Sequence, residues 1–159
     1  MITPTQQCAL ARVVQQLSAH HVAFQITGGL AALIYGSSRP LYDIDIDVAQ
    51  KDMPLVCELF RNAIVMPLER LQDENFDILM LTIELDGVSI DISQAEDAYC
   101  ITPDGKRFRM ETNPATARRC SFAGLELPVQ RKADLIAYKR LVARETDLFD
   151  IAAITEVSG

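Results

Sequence analysis

The segment Asp43-Ile44-Asp45-Ile46-Asp47-Val48 places an acid at every second position. On a β-strand successive side chains point to opposite faces, so Asp43, Asp45 and Asp47 share one face and Ile44, Ile46 and Val48 take the other. Three carboxylates on one strand face repel each other, and aspartate is a poor strand former. A cation bound between them would remove that conflict. Hard divalent ions such as Mg2+ take carboxylate oxygens and keep positions open for phosphate oxygens. Upstream, Gly28-Gly29 follows a short apolar run. Glycines there would let backbone N–H groups approach a phosphate closely. A further acidic strand holds Asp91, with Val88, Ile90 and Ile92 on its opposite face. An isolated D-x-D-x-D reads as a solvated edge strand; the glycine pair and Asp91 turn the balance toward a metal and phosphate site.

These residues need elements to position them. Residues 5–19 carry Ala9, Val13, Val14 and Leu17 at helical spacing, with Thr3 or Thr5 as cap and His20-His21 at the end. The chain then predicts a strand over 21–26, a short apolar helix over Leu30–Tyr35 stopped by Gly36, and a Pro40-containing loop. The acidic strand covers Tyr42–Val48. Asp52 caps a helix reaching about Asn62, with Pro54 in its first turn. Residues 66–75 read as acidic and irregular. Asp77–Leu85 and Val88–Ile92 pair across Asp86-Gly87. Turns at 102–105 and at Ala123-Gly124 join strands over 99–101 and 106–110, and over 117–122 and 125–129. Helices follow over 131–143 and 145–157. This order implies an α/β (α+β) fold, a mixed sheet flanked by helices. G-x-G-x-x-G and G-x-x-x-x-G-K-[ST] are both missing, which argues against dinucleotide-binding and P-loop folds.

A chain of 159 residues suits one domain over 1–159, the helices of 131–157 packing on its core. Hydrophobic residues make up 49%, and Trp is absent, so Leu, Ile, Val and Ala must fill that core. A net charge of −7 disfavours non-specific binding to nucleic acid or anionic membrane. Lys106, Arg107, Arg109, Arg118, Arg119, Arg131 and Lys132 form the main basic cluster, either a solvated hairpin face or an acceptor platform for tRNA. Neither a membrane span nor a signal peptide is read, and a cytoplasmic location is expected. Cys8, Cys57, Cys100 and Cys120 are widely spaced, which argues against zinc. Cys8 and Cys57 read as small core residues with reduced thiols.

Gly28-Gly29, thirteen residues, then Asp43-Ile44-Asp45-Ile46 resembles the signature of the polymerase-beta-like nucleotidyltransferase superfamily. That signature is a hydrophobic-Gly-Gly/Ser turn, a short helix, then Asp-hydrophobic-Asp-hydrophobic; Thr27 departs from it. Asp91 in Ser89-Ile90-Asp91-Ile92 matches the superfamily's third carboxylate. The tail Asp134-Leu135-Ile136-Ala137-Tyr138-Lys139, then Arg144-Glu145-Thr146-Asp147-Leu148-Phe149-Asp150, is similar to a narrower branch. That branch holds small bacterial nucleotidyltransferases: abortive-infection and toxin–antitoxin types and lincosamide-modifying enzymes. The likeness spans most of the chain and leaves 63–76 and 94–115 unmatched.

The resemblance implies an enzyme that moves a nucleoside monophosphate from a nucleoside triphosphate to a hydroxyl acceptor, with Mg2+ or Mn2+. Asp43 and Asp45 would bridge the metal ions, and Asp91 would complete the acceptor side, with general base on the hydroxyl as a further role that the resemblance allows it. Spacing alone also admits Asp45 and Asp47 as the pair; the superfamily spacing favours Asp43 and Asp45 and leaves Asp47 as a hydrogen-bonded structural acid. Gly28 and Gly29 would receive the triphosphate, and Ser37, Ser38 or Arg39 would add contacts. Lys139 is either a surface lysine whose stem packs on apolar neighbours or, as in the branch, a group near the nucleotide. Arg144, Asp147 and Asp150 are expected to form an ion-pair network. The acceptor stays open among a small molecule, tRNA and protein, and an antitoxin partner or a homodimer is a further option. The rival is a catalytically silent binding or antitoxin-type protein of the same fold.

Overall fold

A computed structural model of the chain describes residues 1–110 and 112–156; Val157, in the expected last helix, lies outside them. In chain order the elements are α1 (Pro4–Ala19), β1 (Phe24–Thr27), α2 (Gly28–Ile34), β2 (Ile44–Val48), α3 (Met53–Leu59), β3 (Ile64–Gln72), β4 (Phe76–Leu85), β5 (Val88–Gln94), β6 (Tyr99–Ile101), β7 (Arg107–Arg109), β8 (Arg118–Phe122), β9 (Leu125–Val129), α4 (Lys132–Val142) and α5 (Glu145–Glu156).

Alternation builds the centre of the sheet. Ile44, Ile46 and Val48 of β2 and Ile90 and Ile92 of β5 are completely buried, while the acids between them are half-buried. The nine strands run in the order β7-β6-β4-β5-β2-β1-β9-β8, with β3 pairing to β4 off this path. The sheet is mixed: β2 is antiparallel to β1 and parallel to β5, which is antiparallel to β4. Leu10, Val13 and Leu17 of α1, Leu135 of α4 and Ile154 of α5 join the strand residues in one hydrophobic core. Burying side chains of this size contributes about 1.5–3 kcal/mol each, before the entropy of ordering the chain is counted.

Several local expectations meet their physical reasons here. Thr3 caps α1 in a reciprocal box: its hydroxyl accepts from the Gln6 N–H, and the Thr3 N–H donates to Gln6 Oε1. Asp52 makes no side-chain cap, and α3 ends at Leu59 before a short 3-10 turn over Arg61–Ala63. Residues 66–72, expected to be irregular, belong to β3; two register shifts and largely exposed side chains erase the period-two signal. Cys8 is exposed, because the inward stripe of α1 runs through Ala9, Leu10, Val13 and Leu17. The basic cluster does not assemble. β7 and β8 end the sheet on opposite edges, so Arg107 and Arg109 are separated from Arg118 and Arg119. Arg107 and Arg109 are also taken up by Asp77 and Asp97. The argument for a tRNA platform falls with the cluster.

Candidate active site

Strand register brings the acids together. Asp45 on β2 pairs with Asp91 on the parallel neighbour β5, and Asp43 precedes β2 by one residue. Carboxylate oxygens of Asp43, Asp45 and Asp91 all lie within 4.8 Å of one another, and each residue is half-buried. Thr82, the cross-strand partner of Asp91 on β4, donates its hydroxyl to Asp91 Oδ1 at 2.6 Å. That bond fixes the Asp91 rotamer and leaves its second oxygen for another partner.

The glycine pair touches this cluster directly. Gly28 opens α2 with a φ of +59°, in the left-handed region, and a Cβ placed there would sit 2.1 Å from Asp45 Oδ2. Only a residue without a side chain admits both that backbone and that carboxylate. A Cβ at Gly29 would meet Arg39 Nη2 at 2.8 Å, so the Arg39 guanidinium lies against the same turn.

Electrostatics separate the acids. Burial, then the charges of Asp43, Asp91 and Asp47, push Asp45 up to about 7, with Lys139 opposing them more weakly. Burial raises Asp91 as well, against the Thr82 hydrogen bond. Asp47 is also pushed to about 7 by burial, against hydrogen bonds from Gln25 Nε2 at 3.3 Å and Thr112 Oγ1 at 3.4 Å. Asp47 stands two register positions along from the Asp45–Asp91 pair, opposite Ser93, and outside the three-acid group.

A second charged group flanks the acids. Lys139 of α4 is 1% exposed, not a surface residue, and its Nζ lies 3.0 Å from both Asp147 Oδ1 and Asp150 Oδ2 of α5. Asp150 also accepts from Arg39 Nε at 2.8 Å and from the Ser37 hydroxyl at 2.6 Å. Asp147 accepts from Arg144 Nε at 2.7 Å and from the Arg144 backbone N–H. The Arg144 and Lys139 contacts hold the Asp147 carboxyl below its ordinary range, outweighing burial, which acts to raise it. The expected ion-pair network is therefore present, and it absorbs Ser37 and Lys139. Ser37 is buried and spends its hydroxyl on Asp150.

The three acids, Gly28, Gly29, Arg39, Lys139 and Arg144 line one cleft of about 340 Å3. Sequence reasoning missed Tyr138, Gln130 and the half-exposed Arg144 side chain as parts of this cleft, although the Arg144–Asp147 spacing signalled their pairing. A tyrosine or glutamine carries no spacing signal of its own. No helix among the described residues is long and apolar enough to cross a membrane.

Comparison with known proteins agrees with this geometry. The sequence model of the aminoglycoside-2''-adenylyltransferase family matches residues 9–154. No curated protein sequence matches the chain. Among solved structures, a candidate nucleotidyltransferase from Thermotoga maritima superposes with a TM-score of 0.74 at 20% identity, covering 98% of this chain and 96% of its own. The lincomycin-bound lincosamide antibiotic adenylyltransferase LnuA gives 0.65 at 17% identity, covering 93% and 95%. ANT(2'')-Ia in complex with adenylyl-2''-tobramycin gives 0.65 at 12% identity, covering 98% and 90%. These neighbours share the polymerase-beta-like nucleotidyltransferase fold with this chain.

Proposed function

The chain belongs to the aminoglycoside-2''-adenylyltransferase family of nucleotidyltransferase enzymes, and from that premise we propose that it moves AMP from ATP to a hydroxyl of a small-molecule acceptor, antibiotics included, with Mg2+ or Mn2+ as cofactor. The convergence of the Asp43, Asp45 and Asp91 carboxylates beside a glycine that only a bare backbone can occupy carries this reading. The donor set fits a hard divalent ion. It offers oxygens only, from three carboxylates close enough to share one, and burial together with their mutual repulsion raises Asp45, a conflict that a cation would relieve.

Asp43 and Asp45 would hold the metal, and Asp91 would complete the acceptor side. Bound there, a divalent ion stabilises charge on the attacking and leaving oxygens of an in-line displacement. Asp91, made more basic by burial, takes the proton of the acceptor hydroxyl. The hydroxyl oxygen forms a bond to the α-phosphorus as the bond to the bridging oxygen breaks, and pyrophosphate leaves with that electron pair. Gly28 and Gly29 give the phosphates access to backbone N–H groups. Arg39 and Arg144, each anchored on a buried aspartate, supply positive charge at the cleft. Lys139 acts from behind them by fixing both aspartates.

Pyrophosphate release from ATP, with and without Mg2+ and an acceptor, tests the reading. Asp91→Asn is expected to keep ATP binding, read as a rise in Tm, and to lose transfer. Transfer surviving within about tenfold, or ~1.4 kcal/mol of barrier, would remove Asp91 from the chemistry. A silent binding protein would bind ATP and release no pyrophosphate under any condition.

A further inference from the structure

The cleft face of the sheet carries two rows of side chains. In the first, register aligns Thr27, Asp45, Asp91 and Thr82 across β1, β2, β5 and β4. In the second, two residues away on each strand, it aligns Gln25, Asp47, Ser93 and Met80, and β3 adds Glu69 opposite Met80. Residues two apart on a strand share a face, so Asp47 and Glu69 lie on the same side as the three acids.

Neither carboxylate of the second row has a counter-charge. Among the described residues Asp47 enters no ion pair. Gln25 Nε2 at 3.3 Å and Thr112 Oγ1 at 3.4 Å both donate to its Oδ2, and Oδ1 receives no donor. Asp47 is half-buried and lines the cleft, where an unanswered carboxylate is costly. Glu69 is exposed and is likewise unpaired among the described residues. Arg144 does not answer them: its guanidinium is bound to Asp147 and stands 5.2 Å from the centre of the Phe76 ring, four residues along β4 from Met80. A second observation points the same way. Gln94 Oε1, on a residue 6% exposed that lines this cleft beside Ser93, is buried without a hydrogen-bond partner. Like Asp47 Oδ1, it lacks a donor.

We propose that the second row reads the amino groups of the acceptor: Asp47 Oδ1 takes one ammonium group roughly 6.6 Å from the hydroxyl aligned on Asp91, and Glu69 takes another at the rim, three strands or roughly 14 Å from Asp47. The inference rests on the nucleotidyltransferase reading above and deepens it. It names the residues that select the acceptor, and it makes the modified hydroxyl the one that lies two strand residues from an ammonium group. Asp47, partly withdrawn from water, contributes more than the solvated Glu69.

The test measures tobramycin binding in the presence of Mg2+ and a non-hydrolysable ATP analogue, over a range of NaCl concentrations. The unaltered protein should bind tobramycin at least about tenfold more tightly than fully N-acetylated tobramycin, which keeps every hydroxyl and loses the charges. Asp47→Asn should weaken tobramycin binding about tenfold and flatten its salt dependence, which a merely structural role would leave as it was. Glu69→Lys should weaken it about fivefold at low salt with the same flattening, and, being exposed, it carries the test if Asp47→Asn fails to fold. Both variants should keep the rise in Tm produced by the ATP analogue. Equal binding of the acetylated compound, variants that bind tobramycin as the parent does, or weakened binding with an unchanged salt dependence would each overturn the proposal. An ATP analogue that, with Mg2+, fails to raise the Tm of the unaltered protein would instead overturn the nucleotidyltransferase reading itself.

Discussion

The cleft contains two groups of buried charge that behave in opposite ways. Around Lys139, three cations answer two carboxylates: Asp147 and Asp150 are completely buried and every contact they make is with a donor. Around Asp45, three acids face one another, and burial together with its neighbours' charges raises Asp45. The first group is complete within the chain and acts as scaffold. The second, on the proposed function, is completed by a divalent ion. A buried charge is therefore not a mark of function by itself; the informative sign is whether the protein supplies its counter-charge.

Substitutions should break the two groups differently. Asp43→Asn with Asp45→Asn should cost the most activity, a loss of transfer on the order of 10³-fold or more, or about 4 kcal/mol of barrier. The metal-free double variant should melt no lower than the parent, since like charges have been removed, and Mg2+ with ATP should no longer raise its Tm. A retained Mg2+ effect would sever the acids from the metal. Lys139→Ala should do the reverse. It strands Asp147 and Asp150 in the interior and should cost about 3–5 kcal/mol in denaturant unfolding. An effect below about 1 kcal/mol would show that Arg39 and Arg144 neutralise the pair without it. Gly28→Ala is intermediate. The positive φ costs about 1–2 kcal/mol, and the new methyl must displace Asp45, so kcat should fall roughly tenfold or more. Unchanged kcat would mean that Asp45 can move without loss.

pH sharpens the same contrast. Asp45 and Asp47 have folded values raised to about 7, above their ordinary 3.8. Their contribution is fully present below the unfolded value and is lost as pH rises through about 7. In the presence of EDTA, Tm should therefore rise as pH falls from about 7.5 toward 5, and Mg2+ should flatten that dependence by stabilising the ionised acids. Asp147, whose folded value is depressed, works in the opposite sense: its contribution is present above the unfolded value and is lost as pH falls through the folded one. Stability should thus fall again in acid below about pH 4. A metal-free Tm that declines steadily from pH 7.5 downward would contradict the raised Asp45. The smallest effect belongs to a pair outside both groups. Arg12 and Asp86 meet at 2.8 Å with both side chains more than half exposed, and Arg12→Ala should change stability by about 1 kcal/mol or less.

What the sequence made legible was local. The Asp-x-Asp alternation, the glycine pair and the Asp86-Gly87 hairpin depend on neighbours in the chain, and they foretold β2, the start of α2 and the β4–β5 pair that aligns Asp91. Strand β3 was hidden because its faces are both largely exposed and its register slips twice, so no alternation marks it. The burial of Lys139 was hidden for the opposite reason. Its surroundings on α4 look amphipathic, while the groups that bury it come from α5 and from the loop after α2. The basic residues between 106 and 132 are near in sequence and far apart across the sheet, a separation that only strand order defines. Gly28 was expected to make room for a phosphate; its tightest neighbour is the Asp45 carboxylate.

The placing of Asp147 and Asp150 on the last helix has a consequence for how the enzyme is made. As the chain leaves the ribosome, both glycines, all three acids and Lys139 emerge before either carboxylate that anchors Arg39, Lys139 and Arg144. Until α5 emerges, the nascent domain holds an ammonium group against an apolar interior with nothing to neutralise it, and its two cleft arginines have no fixed direction. The charged group beside the cleft is therefore completed by a single event, the docking of α5.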